Sequence, residues 1–165
     1  MRTLTPQPLT PKAFAPFGEV IFADPAKAMD INYGNTVRFN DLARVAVEGG
    51  HAIVSLFRSI PLEPLELKIM ERHPLGSQAF VPLNGRPYLV VVAPPGELDP
   101  SKVQAFLAGP NQGVNYAPGV WHHFLLALDE VSDFLVIDRE GPENNCDEVA
   151  LAETLTIGLR ELEDR

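Results

Sequence analysis

The stretch Gln78–Pro94, QAFVPLNGRPYLVVVAP, decides the fold class. Two apolar runs flank Asn84-Gly85, and an Asn-Gly pair between such runs is the strongest short-range hairpin signal, because both residues tolerate the left-handed backbone of a tight turn. The stretch therefore predicts a β-hairpin. Working outward, short runs bounded by Pro, Gly or Asp recur at 19–23 (EVIFA), 52–59 (AIVSLFRS), 65–71 (LELKIME), 103–109 (VQAFLAG), 113–117 (GVNYA), 124–129 (FLLALD) and 133–139 (DFLVIDR). Strand-sized segments spaced roughly 8–12 residues apart indicate a sandwich or barrel. Leu155, Ile157 and Leu159 alternate like a further strand over 154–159, although Val149, Ala152 and Leu155 also fit helical spacing. Residues 94–102, PPGELDPSK, read as a polar loop, and 26–45 carry the least pattern and read as a loop over one barrel end. Near the N-terminus, Thr10 as N-cap, Pro11 at the first helical position and Gly18 as a stop predict a helix of one or two turns.

Composition bounds the function. The 165 residues suit one domain, 1–165, with a real core. A 45% hydrophobic and 21% charged chain with 16 Pro and 12 Gly is ordinary globular material rich in turns. A net charge of −9 without a Lys/Arg cluster argues against nucleic acid or an anionic membrane as partner, yet leaves room for a small anionic substrate in a locally positive pocket. Cys146 stands alone, so no intrachain disulfide is possible and a reducing compartment is the default. The N-terminus MRTLTPQPLTPKAF lacks a signal-peptide apolar region, and no run approaches the ~18 apolar residues of a membrane span. A cytoplasmic protein is expected.

Two segments carry candidate chemistry. Under strict alternation Leu65, Leu67, Ile69, Glu71 and His73 share one strand face, with Glu66, Lys68, Met70 and Arg72 on the other. A carboxylate and an imidazole continuing an apolar face are costly to bury unless hydrogen-bonded or holding a cation. In GVNYAPGVWHHFLLAL (113–128) the adjacent His122 and His123 must point to opposite faces, so only one can look inward. His122 is the inward candidate and His123 a packing or interface residue. Trp121 reads as packing, His51 receives no role, and Asp138 and Arg139 read as ordinary strand-end ion-pair formers.

The spacings resemble the two motifs of the cupin family. Its first motif runs His-x-His, three or four residues, Glu, six residues, Gly; here stand Glu71-x-His73, four residues, Gln78, six residues and Gly85. Its second contains Pro-Gly, two residues, His; here stand Pro118, Gly119 and His122. Glu71 and Gln78 replace a His and a Glu, and the motif's later Asn is Leu126. A closer resemblance is to the ureidoglycolate lyase family, through FAPFGEVI (14–21), MERHPLGSQAFVPL (70–83), GVNYAPGVWHHFLLAL (113–128) and DFLVIDREGPENNCDE (133–148), with Phe124 where Pro is expected.

That resemblance implies an all-β, cupin-like jelly-roll barrel, a homodimer, and a divalent metal such as nickel or manganese. It also implies cleavage of ureidoglycolate to glyoxylate and urea in allantoin (purine) catabolism. The reaction needs a base for a hydroxyl proton, an acid for the departing nitrogen and a cation for the carboxylate. His73, His122, Glu71 and Lys68 are the catalytic candidates, and Glu71, His73, Gln78 and His122 the metal ligands. Arg72, with its planar fork, suits the carboxylate; Ser77, Asn115 and Tyr116 suit a ureido group. Two rival functions keep the fold: a metal-dependent oxygenase or isomerase, and a non-catalytic binder of small acids.

Overall fold

A computed structural model describes residues 1–159. Its strands are β1 (Arg2–Leu4), β2 (Gln7–Pro8), β3 (Gly18–Ile21), β4 (Ala28–Ile31), β5 (Thr36–Phe39), β6 (His51–Ser59), β7 (Glu66–Arg72), β8 (Gln78–Pro82), β9 (Tyr88–Ala93), β10 (Gln104–Ala108), β11 (Gly113–Tyr116), β12 (Trp121–His122), β13 (Leu126–Ala127), β14 (Ser132–Glu140) and β15 (Asp147–Ile157). The single α-helix among the described residues, α1 (Pro11–Phe14), starts as expected: Thr10 Oγ1 accepts from the Ala13 N–H and Pro11 opens the first turn. The larger sheet runs β1-β15-β7-β12-β9-β10-β2, with β13 also on β9; the smaller runs β3-β11-β8-β14-β6.

The two sheets face each other around one apolar cluster that includes Phe14, Phe17, Phe80, Tyr88, Val90, Val92, Phe106, Tyr116 and Phe134. A second cluster, with Leu4, Leu67, Met70, Leu89, Val91, Trp121 and Leu155, covers the other side of the larger sheet. This explains β9, whose six residues are all buried: Tyr88, Val90 and Val92 belong to the first cluster and Leu89, Val91 and Ala93 to the second. Each fully buried Val or Leu contributes roughly 1.5–3 kcal/mol by leaving water, so a strand apolar on both faces is driven to the middle of a covered sheet.

The expected Asn84-Gly85 hairpin does not form. β8 pairs with β11 and β14 in the smaller sheet, while β9 pairs with β10, β12 and β13 in the larger. Gly85 does take the left-handed backbone, at φ +64°, but the connection carries the chain from one sheet to the other. It is pinned instead to β14, where Asn84 Oδ1 accepts from the Asp133 N–H and the Leu83 N–H donates to Asp133 O. The turn chemistry was legible; the partner was not, because burial of β9 on both faces outweighs a local pairing. Residues 26–45 hold a two-stranded sheet, β4 with β5, where a loop was expected. The segment 124–129 contributes only the two residues of β13, whereas β15 reaches well upstream of 154.

Strict alternation also fails in β7. Leu67 and Met70, three apart, are both fully buried in the second cluster, and the pairing of β7 with β15 shifts register between Ala150 and Leu155. A bulge of this kind resets which side chains point inward. Leu67 therefore does not share the face of Glu71 and His73, which lie on the first-cluster side.

Gly18 ends the turn after α1 at φ +147°, where a Cβ would lie 1.8 Å from the Asn115 carbonyl oxygen. Gly18→Ala is expected to destabilise the protein by at least ~3 kcal/mol, read as a lower urea midpoint with unchanged slope. A midpoint equal to wild type would contradict the close approach of β3 to β11.

Candidate active site

The site forms where β7 and β12 lie side by side. Pro118-Gly119, with Gly119 at φ +79° and the Val120 N–H donating to Ala117 O, turns the chain back so that β12 runs antiparallel to β7. His122 then sits directly opposite Glu71, which puts both side chains on one face. His73 follows the end of β7, its carbonyl accepting from the Gly119 N–H. One nitrogen or oxygen from each of Glu71, His73 and His122 lies within 4.8 Å of the other two. The imidazole centroids are 5.2 Å apart.

The hydrogen bonds fix what each ring offers. His73 Nδ1 is 2.7 Å from Asn145 O and His122 Nδ1 is 3.1 Å from His123 O. A carbonyl only accepts, so both Nδ1 atoms donate. Both Nε2 atoms are buried without a partner. Tyr116 stacks on His122 at 4.3 Å between centroids and 6° between planes, holding the ring in place.

Burial, reinforced by His73, pushes the His122 pKa down to about 3, so the ring is neutral at physiological pH. Burial raises Glu71 above the usual carboxylate range, with Glu148 adding repulsion and His73 opposing it. Burial and the Glu71 charge likewise hold the Tyr116 phenol above its ordinary value.

Glu71 also lines a cleft of about 260 Å³ with Gln78, Phe57, Arg58, Phe80 and Phe124. Gln78 is buried; its Nε2 donates to Asp138 Oδ2 at 3.1 Å, and its Oε1 has no partner. Arg58 borders this cleft, but its guanidinium is mostly exposed and pairs with Asp133 through bonds of 2.8 and 3.1 Å. Arg58 received no role from the sequence, and Asp138 read only as a strand-end ion-pair former. The first is one Arg in an exposed strand, and the role of the second depends on strands 60 residues apart.

The structure brings together Glu71, His73, His122, Gln78 and Tyr116, but not the other expected residues. Lys68 is exposed and pairs with Glu66 at 3.4 Å, in a different groove that holds the buried ring of His123. Arg72 faces the opposite side of the sheet, stacked 4.5 Å over Trp121 and bonded to Asp147 and Gly96 O. That groove is larger, about 630 Å³, but contains no imidazole. As carboxylate anchors for the imidazole cluster both are misplaced within this chain, Arg72 because neighbours of Glu71 and His73 must point away. Ser77 is tied to the backbone of Ala46, and Asn115 donates to Glu19 and Arg44 O, so both serve the loop over β11. Asp138 and Arg139 are not a simple strand-end pair: Asp138 holds Gln78, and buried Arg139 bonds Glu48 O, Gly49 O and Glu143. Cys146 is exposed, its Sγ 3.8 Å from Glu71 Oε2.

A curled pair of facing sheets with two imidazoles and a carboxylate converging on the inner face defines a cupin-like β protein. The sequence model described as ureidoglycolate lyase matches residues 1–158, and the chain belongs to that family. A protein of Burkholderia mallei named ureidoglycolate lyase is 58% identical over 160 residues, 95% of this chain and 94% of that one. A namesake from Brucella anthropi is 52% identical over 157 residues, 93% of each chain. Among solved structures, a dTDP sugar isomerase from Desulfovibrio desulfuricans G20 matches with a TM-score of 0.45 and 16% identity, over 81% of this chain and 85% of that one. No helix among the described residues is long and apolar enough to cross a membrane.

Proposed function

We propose that this protein is a lyase that splits ureidoglycolate into glyoxylate and urea. The observation that carries the reading is the convergence of Glu71, His73 and His122 within 4.8 Å of one another, with both imidazole Nε2 atoms buried and without a partner. In the reaction the carbon–nitrogen bond breaks, the substrate hydroxyl gives up its proton as the aldehyde forms, and the departing nitrogen gains one. Among the residues lining the cleft, Arg58 is the cation available to the substrate carboxylate, and its planar fork would exchange Asp133 for the substrate. Glu71 suits the proton transfer, because a carboxylate whose proton affinity is raised by burial is a stronger base for the substrate hydroxyl proton than an ordinary one. Phe57, Phe80 and Phe124 narrow the cleft around the reacting carbon.

The donor set also fits a divalent cation. Two imidazoles, each oriented by a carbonyl on Nδ1, and one carboxylate are borderline ligands suited to nickel or manganese. Glu71, His73 and His122 would hold it. A bound cation would polarise the substrate hydroxyl and lower the pKa of the proton to be removed. Following the family resemblance, we place the reaction in allantoin catabolism, in a cytoplasmic homodimer. The nine-residue strand β6 is a sheet edge with Val54 and Leu56 outward, 67% and 66% exposed, and offers a surface for a second copy.

A coupled assay for glyoxylate and urea tests the activity: purified protein should form the two in equal amounts from ureidoglycolate. Chelator treatment is expected to lower turnover at least about tenfold, with recovery on adding nickel or manganese. Absence of turnover with and without added metal would overturn the activity. Undiminished turnover after verified metal removal would assign the proton transfer to Glu71 or an imidazole alone.

A further inference from the structure

We propose that Asp138 is a positioning residue that locks the Gln78 side-chain amide with its oxygen, rather than its nitrogen, toward the cleft. A glutamine amide is nearly symmetric in shape, so nothing steric chooses which end faces a cavity; a hydrogen-bond partner must. Asp138 Oδ2 lies 3.1 Å from Gln78 Nε2, and a carboxylate only accepts, so it selects one of the two orientations. The nitrogen is committed to β14, and Oε1 remains buried without a partner in a residue that lines the cleft with Glu71.

An unpaired buried acceptor favours a ligand that brings an N–H donor, because such a ligand relieves the desolvation of that oxygen while a ligand without one leaves it unpaired. Resting on the function proposed above, Oε1 of Gln78 receives a ureido N–H of the substrate, and Asp138 fixes this specificity without touching the substrate. The registers explain how the pair meets. Ala79 is opposite Ile137 across β8 and β14, which brings Gln78 and Asp138 together just beyond that last paired position. On its other side Gln78 is opposite Tyr116, the residue stacked on His122.

Asp138→Asn keeps the shape but brings an N–H donor of its own, which draws Gln78 Oε1 away from the cleft and turns Nε2 toward it. It is expected to raise KM for ureidoglycolate about tenfold, with kcat within about threefold and an unchanged melting midpoint. The double variant Gln78→Glu/Asp138→Asn exchanges donor and acceptor: the introduced amide donates to one carboxylate oxygen, and the other faces the cleft however the group is turned. Its KM should return to within about threefold of wild type, which a merely structural role for Asp138 does not predict. In 15N-edited spectra of wild type, the Gln78 amide, assigned by its loss in Gln78→Glu, should show one downfield proton protected from exchange, and Asp138→Asn should abolish it. Wild-type KM in Asp138→Asn, or no recovery in a folded double variant, would overturn the proposal. If wild-type protein does not cleave ureidoglycolate, the function falls separately. The amide spectrum then decides alone, and an unprotected Gln78 amide in wild type would refute the lock.

Discussion

Replacing His73 or His122 with Ala is expected to lower kcat/KM for ureidoglycolate by about a thousandfold, the loss typical when a positioned imidazole is removed from the reacting centre. His122 is buried, stacked on Tyr116 and bonded through Nδ1 to a carbonyl, so no neighbouring side chain can swing in to replace its Nε2. His73 is held from its other side by Asn145 O, and Asn145 Oδ1 also accepts from the Leu75 N–H, so the loop after β7 is fixed around that ring. Both variants must be shown folded by circular dichroism, because His122→Ala also leaves a cavity beneath Tyr116. His51→Ala is the control: its ring is exposed, pairs with Glu140 at 3.5 Å and should change activity little. Folded variants that keep more than a tenth of wild-type kcat/KM would remove the imidazole pair from the reaction.

The second large effect is on stability. For chelator-treated protein, His122 alone is expected to cost roughly 3 kcal/mol of unfolding free energy between pH 7 and pH 4. Its pKa falls from 6.5 in the unfolded chain to about 3 in the fold, because burial and the neighbouring His73 disfavour the charged ring. Between those values the unfolded chain binds a proton that the folded protein does not. The stability is complete above about pH 6.5 and is lost as pH drops toward 3. Glu71 acts with opposite sign: its raised pKa means the fold binds a proton before the unfolded chain does, which offsets part of the loss on acidification. Urea titrations at the two pH values should show the decline in wild type and a shallower one in His122→Gln. Equal declines in both would refute a buried neutral ring at this position.

Much of the site was written in residue type and spacing. The four residues between His73 and Gln78, and the Pro118-Gly119 turn ahead of His122, are local facts that survive folding. The strand period correctly placed His122 and His123 on opposite faces, and Thr10-Pro11 correctly marked the start of α1. The cation at the cleft was illegible because it depends on which strand edge borders the opening. Arg58 borders the cleft from β6, while Lys68 and Arg72, nearer in sequence to Glu71, are carried elsewhere by the register shift and by alternation. Asp138 was hidden for a related reason: its meaning comes from Gln78, a neighbour only through the β8–β14 pairing.

By itself the sequence determined the strand-rich class, the turn positions and the residue types that meet around His122, since each follows from backbone preferences and periodicity over a few residues. Tertiary structure alone decided that β8 and β9 part into different sheets, that Gln78 turns its oxygen inward and that Arg58 is the cation at the cleft. Those outcomes depend on burying both faces of β9 and on pairings between distant strands, and such energies are set by the whole packed chain rather than by any local stretch of it.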